Sequence, residues 1–200
     1  MKHQKLITFL ENYGSISDIE KQNIKKYFVP LTVKKGQTLI AKDSPCNYLF
    51  FVNSGYLRAF YTSENLKEIT RMIAWENRFL TNMVSFKNFT QNNETIECIK
   101  NAEILSIKRD DFNELMKSST NLKSMYADIL EEYTALHIRR FEVLNTFDLT
   151  KKLQHLKHEF PNLIKELNDR LLASFIGISR IHFVNNKHSL HIKLTKHKDK

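Results

Sequence analysis

The chain has 200 residues, 42% of them hydrophobic, which allows one or two domains and excludes a wholly disordered protein. No apolar run approaches the roughly 18 residues of a membrane span, and the N-terminus lacks the apolar core of a signal peptide, so we expect a cytoplasmic protein with no membrane partner. Two cysteines, Cys46 and Cys98, are too few for a disulfide framework.

The net charge of +9 is concentrated near the C-terminus. Residues 149–200 contain 11 Lys and Arg against 4 Asp and Glu, a balance of +7, which leaves +2 for the first 148 residues. Such a segment is typical of proteins that neutralise nucleic-acid phosphates. The alternative is a solvated basic tail, which the closing KLTKHKDK would fit.

Two helices are expected at the start of the chain. The first has an apolar face and stops at Gly14, and Ser17 and Glu20 have the spacing of a capping box for the second. From about residue 29 the apolar period changes to two, which predicts strands punctuated by turn signals such as Ser54-Gly55. The predicted strands are Leu31–Val33, Thr38–Ile40, Tyr48–Asn53, Tyr56–Thr62, Glu68–Ala74, Arg78–Val84, Thr95–Lys100 and Glu103–Ile107.

Short strands at this spacing indicate a sandwich or jelly roll. One common use of such a roll is a metal-dependent enzyme, whose site needs a cluster of inward-facing histidines. No histidine lies between His3 and His137, so we expect no enzyme, metal site or cofactor. The other common use is a small-molecule sensor.

After a short helix over 111–116, capped by Asp110, a helix without Gly or Pro is predicted over 120–147. Its apolar residues form two rows. Together the two rows cover an arc of the helix surface that is too wide to pack against one neighbour. One row could pack on the roll and the other on a second copy of the chain, although a single buried core helix fits as well. We predict a homodimer interface, its seam formed by Leu122, Ile129, Tyr133, Leu136 and Val143. The second row comprises Leu130, His137, Phe141 and Leu144.

A helix capped by Thr150 and ended by Pro161 leads to DRLLASFIGISRIHFVNNKH, residues 169–188. Gly177 lies at a sharp turn, Ser179 can cap the second helix, and Ala173 leaves room for that helix to cross. With Phe183 and Val184 facing inward, this pattern predicts a helix-turn-helix, although a plain packed helix pair would share it. Leu190, Ile192 and Leu194 alternate with polar residues and could form a short wing strand.

Taken together, these segments resemble the Crp–Fnr family of bacterial transcription regulators over essentially the whole chain. The resemblance rests on KKGQTLIAKDSPCNYLFFVNSGYLRAFY and NAEILSIKRDDFNEL in the roll, on ILEEYTALHIRRFEVLNTFDLTKKLQHLKHEFPNL, and on LLASFIGIS. It implies an α+β fold with an N-terminal double-stranded β-helix (jelly roll) sensor domain over 1–118. A long dimerisation helix over 119–147 and a winged-helix-like helix-turn-helix domain over 148–200 would follow.

The resemblance also implies double-stranded DNA as a partner, a homodimer and an unknown small-molecule effector, with RNA polymerase as a further candidate partner. Arg180 is the best candidate to read a base, because a guanidinium pairs both acceptors on a guanine edge. Lys187, Lys193 and Lys196 are better placed for phosphates. By position, the DNA-binding residues would be Ser179, Arg180, His182, Asn185, Lys187, Lys193 and Lys196.

Three departures from the family pattern bear on function. The late-roll stretch FKNFTQNNETIECIKN has neither glycine nor arginine, so we expect no cyclic AMP binding. Two cysteines cannot hold the four-cysteine cluster of the oxygen-sensing branch. Ile181, Asn185 and Asn186 replace the family's usual base readers and apolar anchor, so the alternative function is a dimeric ligand-binding or interaction protein whose recognition helix has degenerated.

Overall fold

The computed structural model describes residues 2–190, and the chain divides into two compact units, Met1–Ala135 and Leu136–Lys200. The first unit begins with helices α1 (Gln4–Glu11) and α2 (Asp18–Tyr27). The predicted capping box of α2 is confirmed: the Ser17 hydroxyl accepts from the Glu20 amide, and the Glu20 carboxylate accepts from the Ser17 amide. Both helices bury an apolar face, with Leu6 and Ile24 fully enclosed.

One antiparallel sheet of six strands forms the centre of this unit. Its strands are β1 (Val29–Val33), β2 (Thr38–Ile40), β3 (Tyr48–Thr62), β4 (Glu68–Ala74), β5 (Phe79–Leu80) and β6 (Thr95–Lys108). The order is β1-β6-β3-β4, with β2 paired to β6 and β5 paired to β3. Side chains such as Phe51, Leu57 and Ile104 are buried. Burial does not alternate as the apolar period of two predicted, because the consecutive residues 49–53 of β3 are all buried.

Two long strands of the structure each include a pair of strands that were predicted separately. β3 includes both 48–53 and 56–62, and β6 includes both 95–100 and 103–107. Gly55, predicted at a turn, lies within β3 at positive φ (82°) where the register with β6 shifts. A Cβ there would overlap the backbone of Asn101 and Ala102, so the glycine permits a close approach of strands within an irregular ladder.

The predicted strand over 78–84 is wrong beyond Leu80. After β5, Asn82 accepts a hydrogen bond from the Ser85 amide and caps helix α3 (Met83–Asn88). Helix α4 (Arg109–Ser118) also differs from the prediction, because Lys108 occupies its N-cap and Asp110 lies inside its first turn. The long helix α5 (Thr120–Thr146) follows, and the division between the two units falls within it.

Helices build the described part of the second unit. They are α6 (Leu149–Glu159), α7 (Pro161–Glu166), α8 (Asp169–Phe175) and α9 (Arg180–Asn186), followed by a 3-10 turn over Lys187–Leu190. Asp148 rather than Thr150 caps α6, accepting from the Lys151 amide at 2.8 Å. Pro161 occupies the first position of α7, where its missing amide proton leaves no bond unmade. The predicted wing strand lies mostly outside the described residues.

Aromatic packing joins α6, α7 and α8. Phe160 lies edge-on to His155 and Phe175, with ring centroids 5.6 and 5.3 Å apart, and His155 also meets Phe147 at 6.1 Å. Burial lowers the pKa of His155, so its ring is neutral at neutral pH and packs as an aromatic side chain. Within residues 2–190, no helix is long and apolar enough to cross a membrane, and no group of His, Cys, Asp or Glu could hold a metal ion.

Candidate nucleic-acid interface

The turn between α8 and α9 is tightly specified by its backbone. The Ile178 amide donates to the Ala173 carbonyl at 3.0 Å, and the Gly177 amide donates to the Ser174 carbonyl at 3.4 Å. These two bonds form a Schellman motif, which requires a left-handed residue at its next-to-last position. Gly177 supplies it with a φ of 69°. The glycine predicted for a sharp turn is therefore confirmed in its conformation.

Helix α9 is capped at its start and packs against α8, to which an ion pair joins it near its end. At its start, the Ser179 hydroxyl accepts from the His182 amide at 3.1 Å, which confirms the predicted cap. Inside the contact, Ala173 and Phe183 are buried, as expected for two helices that cross closely. Near its end, the Lys187 ammonium lies 2.7 Å from the Asp169 carboxylate at the start of α8. The helix thus presents its outer side chains from a rigid base.

The outer surface of α9 carries Arg180, Ile181, His182 and Asn185, all exposed. Val184, predicted to face inward, is 39% exposed, and Ile181 is 71% exposed. Phe183 is the buried residue of this short helix. The prediction that Val184 faces inward is therefore wrong. The exposed apolar pair was missed because apolar residues at helical spacing are ordinarily assigned to the core.

The predicted phosphate-contacting lysines differ in their surroundings. Lys187 is half-buried and ion-paired with Asp169, so a phosphate would have to compete with that carboxylate. Lys193 and Lys196 lie outside the described residues. Further basic groups of this unit are engaged with backbone: the Arg140 guanidinium donates to the Phe175 carbonyl at 2.7 Å, and the Lys152 ammonium donates to that of Leu144 at 2.9 Å.

Most of the predicted dimer seam is enclosed by the chain itself. Leu122 and Ile129 belong to the core of the first unit, and the Tyr133 hydroxyl accepts a hydrogen bond from the Phe79 amide at 2.7 Å. Val143 is also buried, at 4% exposure. Of the five residues only Leu136 is exposed, at 38%. Four of the five side chains therefore already have intramolecular neighbours, and the seam itself stays a prediction.

The exposed apolar face of α5 includes Phe141, which belongs to the second predicted row, and Ile138, which belongs to neither row. Ile138 is 65% exposed and Phe141 is 70% exposed, and their spacing of three residues places them on one side of the helix. Asn145, four residues after Phe141, is exposed on the same side. Sequence periodicity identified both rows but could not tell which one the sheet would cover.

In the first unit, an ion pair lies beside the stretch that lacks arginine. The β3–β4 register passes from Ala59↔Met72 to Phe60↔Thr70, so Arg71 is the extra residue of a bulge. Its guanidinium binds the Glu94 carboxylate at 2.6 and 3.0 Å and donates to the Thr81 carbonyl at 2.9 Å. The Glu94 side chain is only 1% exposed. Sequence alone did not pair these two residues, which are 23 positions apart.

Amides rather than charges fill the neighbouring positions. The Asn82 amide donates to the side-chain oxygens of Asn92 and Asn93 at 2.9 and 3.0 Å. Its oxygen accepts from the Ser85 amide, so one backbone donor at the start of α3 is already bound. The only basic residue between Phe79 and Glu97 is Lys87, which is exposed near the end of α3.

Residues 30–119 match the family model described as Cyclic nucleotide-binding domain. No curated protein matches the chain in sequence. Solved structures similar to the chain include a protein from Eubacterium rectale assigned to the crp/fnr family of transcriptional regulators. Its TM-score is 0.69 at 20% identity, covering 88% of this chain and 85% of that one.

Two further solved structures are similar to the chain. The c-di-GMP-responsive global regulator CLP of Xanthomonas campestris has a TM-score of 0.68 at 14% identity, covering 87% of this chain and 91% of its own. FixK2 from Bradyrhizobium japonicum has a TM-score of 0.67 at 10% identity, covering 82% and 84%. At such identities the likeness shows a shared fold.

The residues beside α3 do not fit a cyclic nucleotide. A cyclic phosphate needs a cation and free backbone amides. Here Arg71 is held by Glu94, and the Asn82 side chain occupies an amide of α3. Releasing Arg71 would leave a buried carboxylate unpaired, which costs about 3–5 kcal/mol.

Proposed function

We propose that the chain is a sequence-specific DNA-binding transcription regulator of the Crp–Fnr type, acting as a homodimer. The observation that carries the proposal is α9. It is a short helix locked by the Gly177 turn, with outer side chains that are polar, basic or apolar but free of acidic groups. It lies in the segment that holds +7 of the net charge of +9. A rigid helix on a basic segment suits the DNA major groove.

In this proposal α9 lies in the groove with its N-terminal half against the base edges. Arg180 pairs with a guanine, His182 and Asn185 offer further base contacts, and Ser179 contacts backbone at the helix start. Lys187, Lys193 and Lys196 contact phosphates, Lys187 by exchanging Asp169 for a phosphate oxygen. The guanidinium fork gives Arg180 the strongest expected contribution to specificity.

The proposed dimer forms along the exposed side of α5, through Ile138, Phe141 and Asn145. Two exposed large apolar side chains on one face of a helix are stabilised when a second copy covers them. A two-fold dimer presents two copies of α9 to successive major grooves, about 34 Å apart. A palindromic operator follows from this symmetry.

The first unit would act as a sensor whose ligand is not a cyclic nucleotide. Its small-molecule effector and a contact with RNA polymerase remain proposals that rest on the fold. The second candidate function is a dimeric ligand-binding or interaction protein that has lost DNA recognition. It is favoured by one observation: α9 has only seven residues, and its end is tied to α8 through Lys187.

Selection from random duplexes followed by binding titrations tests the proposal. The full chain should select a palindromic site and bind it more tightly than random DNA. Arg180→Ala should lose about 1–3 kcal/mol of discrimination, because a bidentate base contact is removed. Lys193→Ala should weaken all duplexes alike and reduce the salt slope by about one unit. Binding to no DNA at low salt would favour the interaction protein instead.

A further inference from the structure

The centre of the exposed face of α9 is formed by Ile181 and Asn185. Consecutive helical residues are about 100° apart, so residues two before and two after a buried position point about 160° away from it. Phe183 is 1% exposed and defines the buried side of α9. Ile181 and Asn185 therefore point outward, about 40° from each other and one turn apart. Arg180 lies nearer the edge of this face.

Among the residues that the structure describes, neither side chain has a structural task. Ile181 is 71% exposed, which leaves most of its apolar surface in water. Asn185 makes no hydrogen bond with its side chain within residues 2–190. By contrast, the amide of its neighbour Asn186 donates to the His182 carbonyl at 2.9 Å. Asn185 thus keeps both a donor and an acceptor for an external partner.

An isoleucine and an asparagine in this arrangement complement A·T base pairs. In the major groove only thymine presents a methyl group, and apolar side chains contact it. Adenine presents an acceptor and a donor side by side, which an asparagine amide matches with two hydrogen bonds. No acidic residue lies on α9 to accept from the amino group of cytosine.

We propose that Ile181 and Asn185 are specificity-determining residues that select A·T pairs at the centre of each operator half-site. Ile181 contacts a thymine methyl, with Val184 widening the apolar contact, and Asn185 pairs with an adenine. This inference rests on the proposed DNA-binding function and extends it from the protein to the sequence it reads. Arg180, at the edge of the face, reads the flanking base pair.

The test replaces single atoms in a site selected by the full chain. Deoxyuridine in place of thymidine removes the methyl group while keeping the base pair. At the thymine contacted by Ile181 it should weaken binding about fourfold per half-site, the value of one buried methyl at about 0.8 kcal/mol. Ile181→Ala should bind the thymine and uracil duplexes equally. A thymine outside the half-site, and Ile19→Ala at an isoleucine that is also 71% exposed, serve as controls that should change nothing.

The adenine contact is tested in parallel with 7-deazaadenine, which lacks the N7 acceptor. The native chain should lose about 2- to 13-fold at the paired position, because one of the two hydrogen bonds is removed, and Asn185→Ala should be insensitive to the same change. Specific binding that ignores both base changes would overturn this proposal and leave the DNA-binding function standing. Unchanged DNA affinity in Ile181→Ala would also overturn the A·T proposal. The exposed surface of Ile181 and Val184 would then be assigned to contact with a protein. Absence of DNA binding by the native chain would overturn both proposals.

Discussion

Glu20 joins helix α2 to the start of the long helix through hydrogen bonds that a carboxylate accepts. Its two oxygens accept from the amide and hydroxyl of Ser17, from the Ser119 hydroxyl, and from the Asn121 amide at 3.1 Å. Burial raises the pKa of Glu20, but the hydrogen bonds from Ser119, Ser17 and Asn121 outweigh it and lower the pKa to about 2. The ionised form is therefore the structural form.

We expect Glu20→Gln to lower the free energy of unfolding by about 1–3 kcal/mol at neutral pH, because charged acceptors form the stronger hydrogen bonds. The folded pKa lies below the ordinary value of 4.5, so the stabilisation is complete above pH 4.5 and is lost as the pH falls through about 2. Urea denaturation at several pH values, followed by fluorescence of Trp75, measures both effects.

The difference between native and Glu20→Gln proteins should therefore shrink in acid. Glu114→Gln is the control, since that side chain is 60% exposed and pairs only with Lys117, also on the surface. If the difference in the free energy of unfolding between the two proteins stays constant from neutral pH to pH 3, the charge of Glu20 contributes nothing to stability.

Gly177 is the residue on which the α8–α9 turn depends. Any other residue at this position would have to adopt a left-handed φ of 69°, and its Cβ would lie 2.8 Å from the Leu144 Cδ2 atom. Gly177→Ala should destabilise the fold by about 1–2 kcal/mol through the backbone alone, and by more if Leu144 cannot move. Gly36→Ala is a matched control, since Gly36 has a φ of 85° with open space around it. Equal losses in thermal denaturation would assign the whole effect to the backbone.

At the scale of elements, three local signals were confirmed, whereas the predicted caps Asp110 and Thr150 each lie two residues after the actual N-cap. The Ser17–Glu20 capping box, the Ser179 cap and the Gly177 turn were all predictable from sequence. The helix α3 was missed, although Asn82 and Ser85 carry a capping signal, because the apolar residues around them imitate a strand. Gly55 was misassigned because a glycine in a bulge and a glycine in a turn look alike in sequence.

The two apolar rows of α5 show a limit of a different kind. Periodicity gives the angle between rows, but the row covered by the chain's own core is decided by tertiary packing. The sheet unit covers Leu122 and Ile129, and Ile138 and Phe141 are left exposed. Likewise, the Arg71–Glu94 pair depends on a bulge and on a contact 23 residues away. No local pattern in the sequence encodes either outcome.

The exposed side chains of Ile138 and Phe141 support a prediction about assembly. Ile138→Glu should convert the dimer to a monomer at micromolar concentration, because an unpaired carboxylate in an apolar seam costs several kcal/mol. Ile19→Glu is the matched control: that isoleucine is 71% exposed, compared with 65% for Ile138, and lies on α2. Sedimentation velocity distinguishes the two variants. If Ile138→Glu sediments as a dimer, the seam lies elsewhere on the chain.

At the scale of the whole molecule, the net charge is concentrated in the C-terminal segment of the chain. The last 52 residues carry +7, and the remaining 148 carry +2. Electrostatic attraction to a polyanion is therefore a property of the C-terminal segment, and the sheet unit contributes little to it. The sheet unit instead holds its charges in internal pairs such as Arg58 with Glu68 and Glu97. This division suits a molecule in which one part binds DNA and the other responds to a neutral or weakly charged signal.

Cyclic nucleotides should therefore leave the DNA affinity of the full chain unchanged. The phosphate would need Arg71, and Arg71 is bound through its Nε and Nη2 atoms to a Glu94 side chain that is 1% exposed. Calorimetry with cyclic AMP and cyclic GMP should show no binding at micromolar concentration, and DNA titrations should superimpose with and without either nucleotide. Glu94→Gln tests the reason, because an uncharged partner releases the guanidinium and should permit weak binding. Micromolar affinity in the native chain would show that the ion pair opens readily, and the sheet unit would then be a cyclic-nucleotide sensor.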